Sequence, residues 1–96
     1  MQERKFESGK LTATAAVHER MEKDKRFSHF AIFSLYRHLN GDWGDLEQED
    51  KDVNEEALSS GDRLFSAYIY KPTNEKIWII TEWDRSATTI LFPSDY

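Results

Sequence analysis

The hydrophobic pattern of this chain changes period at Gly61, and that change limits the fold more than any other feature. Upstream, apolar residues recur at helical spacing; downstream, short runs rich in β-branched and aromatic residues alternate with turn material. Lys25 to Leu39 carries Phe27, Phe30, Ala31, Ile32, Phe33, Leu35, Tyr36 and Leu39 around nearly its whole circumference. That distribution predicts a buried central helix, stopped by Asn40-Gly41. Lys10 to Asp24 has a narrow apolar stripe of Ala13, Val17 and Met21 and reads as a surface helix, with a short extended stretch at Leu11-Thr12 admissible ahead of it. A third helix runs from about Leu46 to Ser60, with Asp45 as its cap, Gln48 completing a variant capping box, and Gly61 as its stop. Its expected apolar face is Leu46, Val53 and Ala57, with Leu58 at the margin.

Beyond Gly61, Arg63–Tyr70, Lys76–Glu82 and Ala87–Phe92 read as strands, and the short connections between them call for antiparallel pairing. The expected fold class is therefore α+β: three N-terminal helices packed on a C-terminal three-stranded antiparallel β-meander. Phe30, Leu35, Val53 and Ile79 are expected to be largely buried.

A length of 96 residues suits a single domain over residues 1–96 with a modest core. Residues 1–9 are polar, end in Ser8-Gly9, and have the composition of a loose arm. Cysteine is absent, which excludes a disulfide framework and thiolate zinc sites. No apolar run is long enough to span a bilayer, and the polar start is no secretory signal, so the expected location is the cytoplasm.

Charge is unevenly placed. Between Gly41 and Asp62 nine acidic residues face one lysine, Lys51, a local net charge of −8 in a chain whose total is −5. Asp45 and Glu47 suit the start of the third helix, and Glu47–Lys51 is a well-ordered i,i+4 pair. Glu55 and Glu56 fall in its last turn, where the helix dipole disfavours them, and Glu49, Asp52, Glu55 and Glu56 are like-charged neighbours. A charge run is ordinarily a solvated face. Local helix stability nevertheless does not ask for this one, so Asp42, Asp45, Glu49, Asp52, Glu55 and Glu56 form the candidate partner-binding set. Asp50 and Asn54 lie on the apolar side of the same helix and need partners, for which Arg63 and Arg85 are the expected candidates.

Two near-motifs fall short of metal chemistry. His18-Glu19-Arg20-Met21-Glu22 has Glu22 where a zinc-protease helix needs its second histidine. Asp50-Lys51-Asp52-Val53-Asn54 matches the opening of a calcium loop, but Glu55 stands at the position that needs glycine and Gly61 at the position that needs glutamate. No zinc, calcium or other cofactor is expected. With no glycine-rich phosphate loop and no nucleophile turn, no enzymatic activity is expected either.

The middle strand, Ile77-Trp78-Ile79-Ile80, is apolar on both faces. Tyr68, Tyr70, Trp78 and Ile80, accompanied by Ile90 and Phe92, are the expected residues of the sheet face turned away from the helices. That face needs a cover: the N-terminal arm, a twin subunit in a homodimer, or a foreign partner. Stacking on single-stranded nucleic acid would need a basic groove, and Arg63, Lys71, Lys76 and Arg85 are the only cations available there. Direct nucleic-acid binding is not expected.

Gly41-Asp42-Trp43-Gly44-Asp45-Leu46, Asp50-Lys51, Asn54, Gly61-Asp62-Arg63-Leu64, Ile77-Trp78-Ile79-Ile80-Thr81-Glu82, Asp84-Arg85-Ser86 and Leu91-Phe92-Pro93 together form a set of words. Over about residues 11–96 the chain resembles a group of small proteins often labelled plasmid-related, encoded on plasmids and integrative elements of Gram-positive bacteria. The resemblance implies a setting, the accessory cargo of a mobile element, and carries no activity. Small acidic proteins of such elements include inhibitors of CRISPR effectors and restriction enzymes that occupy nucleic-acid-binding surfaces.

The leading functional expectation is thus a non-enzymatic acidic binding protein of a mobile element, of the anti-CRISPR or anti-restriction kind. Its partner would be a basic surface of a host or element-encoded protein. The alternative is a small regulatory or plasmid-maintenance protein working through the aromatic sheet face.

Overall fold

The computed structural model describes residues 4–96. Strand β1 (Lys10–Ala13) comes first, then helices α1 (Ala15–Lys23), α2 (Lys25–Leu39) and α3 (Gln48–Ser60), then strands β2 (Leu64–Tyr70), β3 (Glu75–Thr81) and β4 (Ala87–Leu91), and a closing 3-10 turn (Pro93–Asp95). The strands form one mixed sheet in the order β1-β4-β3-β2, with β1 parallel to β4 and the other neighbours antiparallel. This corrects the expected fold. The helices are inserted between strands, and the sheet has four strands rather than a three-stranded antiparallel meander. A parallel neighbour needs a long crossover, and here α1, α2 and α3 supply it.

Local chemistry explains the helix boundaries. Thr14 caps α1 by accepting from the Val17 amide at 3.3 Å. Asp24 ends α1 and caps α2, its carboxylate accepting from Arg26 and Phe27 at 2.9 and 3.3 Å. Gly61 closes α3 in the left-handed conformation at φ 82°.

The main core lies between α1, α2 and the inner sheet face, where Val17, Phe27, Ala31, Tyr68, Tyr70, Ile77, Ile79 and Ile90 are buried together. Arg20 ties α1 to the start of β3, its guanidinium donating to both carboxylate oxygens of Glu75 at 2.9 and 2.7 Å. That bond holds the Glu75 carboxyl below its usual range. A second cluster joins Trp43, Ala57 and Leu64, with Phe6, Leu46 and Leu58 packed against it. Residues 4–9, expected to be part of a loose arm, lie against the fold: Phe6 stacks on Trp43, and the Lys5 amide donates to the Leu39 carbonyl at 2.9 Å. Residues 1–3 of that arm lie outside the described residues.

Three burial expectations change. Helix α2 is not apolar-buried all round, because Ile32, Phe33 and Tyr36 are exposed. Val53 points outward, while Asn54 and Ala57 are the buried residues of α3. Phe30 and Leu35 are half-buried, and Ile79 is fully buried. Among the described residues, no helix is long and apolar enough to cross a membrane.

Candidate functional site

The expected partner-binding acids divide into two groups. Asp42 is engaged by Arg37, which donates to its carboxylate at 2.7 and 3.2 Å and holds that carboxyl below its ordinary value. Asp45 is not the cap of α3; Glu47 occupies that position, and it makes no side-chain capping bond. The Asp45 carboxylate instead accepts from the Ile69 amide at 3.1 Å. Glu55 accepts from the indole of the buried Trp43 at 2.7 Å. These three carboxylates serve the fold.

One of them, Asp45, belongs to a device that covers the outer edge of β2. Gly44 forms an isolated parallel bridge to Ala67, with the Asp45 amide donating to the Ala67 carbonyl at 2.7 Å and the Ala67 amide donating to the Trp43 carbonyl at 3.3 Å. One step along, Asn54 reaches in from α3: its amide donates to the Phe65 carbonyl at 2.5 Å and accepts from the Phe65 amide at 3.0 Å. The outward amides of residues 65, 67 and 69 are all satisfied, which removes a template for strand addition. Asn54 therefore finds its partner in backbone, not in Arg63 or Arg85. Arg85 staples the end of α3 differently, donating to the carbonyls of Ala57 and Asp62 at 3.0 and 2.7 Å. Asp50 stays exposed.

Glu49, Asp52 and Glu56 remain, spaced by three and four residues on the outward side of α3 with Val53 between them. Asp52 accepts from Gln48 at 2.9 Å along the same helix. Elsewhere Asp24, Glu75, Glu19 and Asp42 meet cations, in Arg20–Asp24, Arg20–Glu75, Lys23–Glu19 and Arg37–Asp42. Among the described residues, no carboxylate of α3 has a cation within ion-pair distance. At the helix end, Val53, Glu56, Ala57, Ser59, Ser60 and Asp62 line an open groove of about 410 Å³. Val53 lends it an apolar wall and Glu56 and Asp62 supply two carboxylates, a form that fits the stem and head of a lysine or arginine.

The second expected interface does not exist as one face. Tyr68 and Tyr70 turn inward, both buried in the main core with Ile90, and Phe92 packs there too. Trp78 and Ile80 lie on the outer face, because neighbours along a strand alternate sides. Part of that face is covered: Tyr96 packs edge-on against Trp78 with ring centres 5.8 Å apart, and Arg63 donates to the Tyr96 hydroxyl at 2.7 Å.

One group escaped sequence reasoning. His38, Ser66, Thr81 and Thr88 form a buried polar chain from α2 through the inner face of the sheet. Thr88 donates to the Ser8 carbonyl at 2.7 Å, so Thr81 must donate to Thr88. His38 Nε2–H then donates to Thr81 at 2.9 Å, and the bare Nδ1 accepts from the Ser66 hydroxyl. Burial pushes the His38 imidazole down to about 3, so it is neutral near pH 7. A histidine beside a serine suggests a base and nucleophile, but none of the four side chains opens to solvent. The chain fixes packing between α2 and the sheet. The only signal for it in the sequence was a histidine amid apolar helix positions.

The near-motif at Asp50 lies within helix α3 rather than in a loop, and His18 and Glu22 are both exposed, 3.6 Å apart on α1. Comparison with protein-family models, curated proteins and solved structures returned no match.

Proposed function

We propose that the chain is a binding protein whose outward α3 surface, centred on Glu49, Asp52 and Glu56, occupies a lysine- and arginine-rich surface of another protein. The observation that carries this reading is the run of exposed, unpaired acids on one face of α3. Carboxylates on α1, at the end of α2 and at the start of β3 meet cations, whereas Glu49, Asp52 and Glu56 of α3 face solvent without one among the described residues. A surface of this kind competes for sites that hold nucleic acid backbones. The resemblance to plasmid-related proteins supports the further reading of a mobile-element product directed against a CRISPR effector or restriction enzyme. Asp42, Asp45 and Glu55 leave the contact set, since each carries a structural bond.

Capture from a Gram-positive bacterial lysate on the immobilised protein tests the partner class. The expected catch at low salt is a basic nucleic-acid-binding protein, released as the Debye length falls below about 8 Å. A catch that resists salt, or one that is acidic or purely nucleic acid, counts against the reading.

A further inference from the structure

We propose that the outward face of α2 receives the C-terminal half of α3 from a second copy of this chain, in a head-to-tail contact that hides the acidic surface. The inference does not depend on the identity of any target. On α2 the outward residues are Lys25, Arg26, His29, Ile32, Phe33 and Tyr36, all exposed and none acidic. Ile32, Phe33 and Tyr36 are 44%, 65% and 57% exposed, an adjoining apolar stripe in need of a cover. Lys25 and Arg26 stand in the first helical turn, where the dipole disfavours cations, and neither has an ion-pair partner among the described residues. Helix α3 is the mirror case: Glu55 and Glu56 lie near its C-terminal end with no basic residue in its last turn, beside a Val53 that is 59% exposed.

Each face thus carries what the other lacks. Laid antiparallel with Phe33 against Val53, the helices bring the residue seven before Phe33, Arg26, opposite the residue seven after Val53, Ser60. Ser60, Glu56 and Asp62 line the groove at the end of α3, so the Arg26 guanidinium enters between two carboxylates while Phe33 covers Val53. The positive end of one helix dipole also meets the negative end of the other. The two patches are different surfaces of one molecule, so the contact is heterologous and propagates beyond a dimer unless its rotation closes a ring.

Sedimentation velocity on the full chain from about 10 μM to about 1 mM tests this. The weight-average mass is expected to climb from 11.3 kDa past the dimer value as concentration rises, and to fall back with added salt. Two paired variants, Arg26→Gln with Phe33→Ser and Val53→Ser with Glu56→Gln, alter only exposed side chains. Each alone is expected to raise the concentration of half-association at least about tenfold. Mixed in equal amounts, they retain one intact face of each kind and should stop at a one-to-one dimer. Wild-type protein that stays monomeric throughout overturns the proposal and leaves the α2 face to a foreign partner. So does a mass that stops at the dimer and is not restored by mixing the variants, which marks a two-fold contact instead.

Discussion

Replacing Gly44 with alanine is expected to destabilise the protein by about 3–5 kcal/mol, seen as a fall in the melting midpoint of more than about 10 °C. Gly44 sits at φ 76°, a backbone conformation that costs an ordinary L-residue roughly 1–2 kcal/mol. An added Cβ would stand 2.7 Å from the Tyr68 ring and closer still to the Ala67 carbonyl oxygen. Neither can retreat easily. The Ala67 carbonyl is bonded to the Asp45 amide, and Tyr68 is fully buried with its hydroxyl donating to the Asp42 carbonyl at 2.6 Å. Opening the bridge also forfeits the Ala67–Trp43 bond and shifts Asp45 away from Ile69, each worth about 1 kcal/mol. Gly61→Ala provides the control, since Gly61 has φ 82° but nothing within 4 Å of an added Cβ. It should cost only the conformational part, about 1 kcal/mol. Equal losses at the two glycines would show that the closed edge of β2 contributes little.

Stability is also expected to fall as the pH drops below about 6.5, at up to about 1.4 kcal/mol per pH unit from His38 alone. The imidazole is held down to about 3 in the folded protein by burial, against about 6.5 unfolded. Between those values the unfolded chain binds a proton that the folded chain does not, so acid favours unfolding. The contribution is complete above pH 6.5 and is lost progressively toward pH 3. Carboxylates such as Asp42 and Glu75, whose values are lowered by Arg37 and Arg20, act in a lower window. Their contribution is present above about pH 4.5 and is lost below it. Loss between pH 6.5 and 5 therefore isolates the histidine. Urea unfolding across that range, compared with His38→Gln, checks it, because glutamine can bond Ser66 and Thr81 without titrating. The variant should be weaker at pH 7 yet nearly flat down to pH 5. A wild-type profile as flat as the variant's would contradict the buried-imidazole reading.

The sequence reveals those elements whose pattern is long and regular. The spacing predicts α2 over Lys25 to Leu39, and the helix spans those residues. The three C-terminal strands lie within one or two residues of their expected bounds. Strand β1 defeats the pattern because four residues, three of them exposed, hold too little periodicity to compete with the helical spacing of Ala13, Val17 and Met21. An extended stretch at Leu11-Thr12 is admissible from the sequence, but its parallel pairing with β4 is not legible there, and that pairing changes the topology from meander to mixed sheet. The exposure of Ile32, Phe33 and Tyr36 is equally hidden, because apolar composition says nothing of which side a sheet will cover. In the candidate site, charge and exposure of Glu49, Asp52 and Glu56 follow from helical spacing. The structural bonds of Asp42, Asp45 and Glu55 do not, for they depend on partners set by the turn through Trp43 and Gly44 or by the end of α2. Asn54 shows both sides: its place on the buried face of α3 demands a partner, but only the three-dimensional fold brings it to Phe65.

The claim that the outward acids of α3 meet a basic partner is tested most directly by reversing Glu49, Asp52 and Glu56 to lysine. Variant and wild type are then compared as inhibitors of a panel of purified CRISPR and restriction nucleases. All three residues are exposed and none bonds the core, so the variant should melt within about 2 °C of wild type. Wild type is expected to inhibit at least one nuclease in a salt-sensitive way, and the variant to lose that inhibition, because like charges then face each other. A folded variant that inhibits as well as wild type, or a wild type inactive across the panel, would contradict the claim.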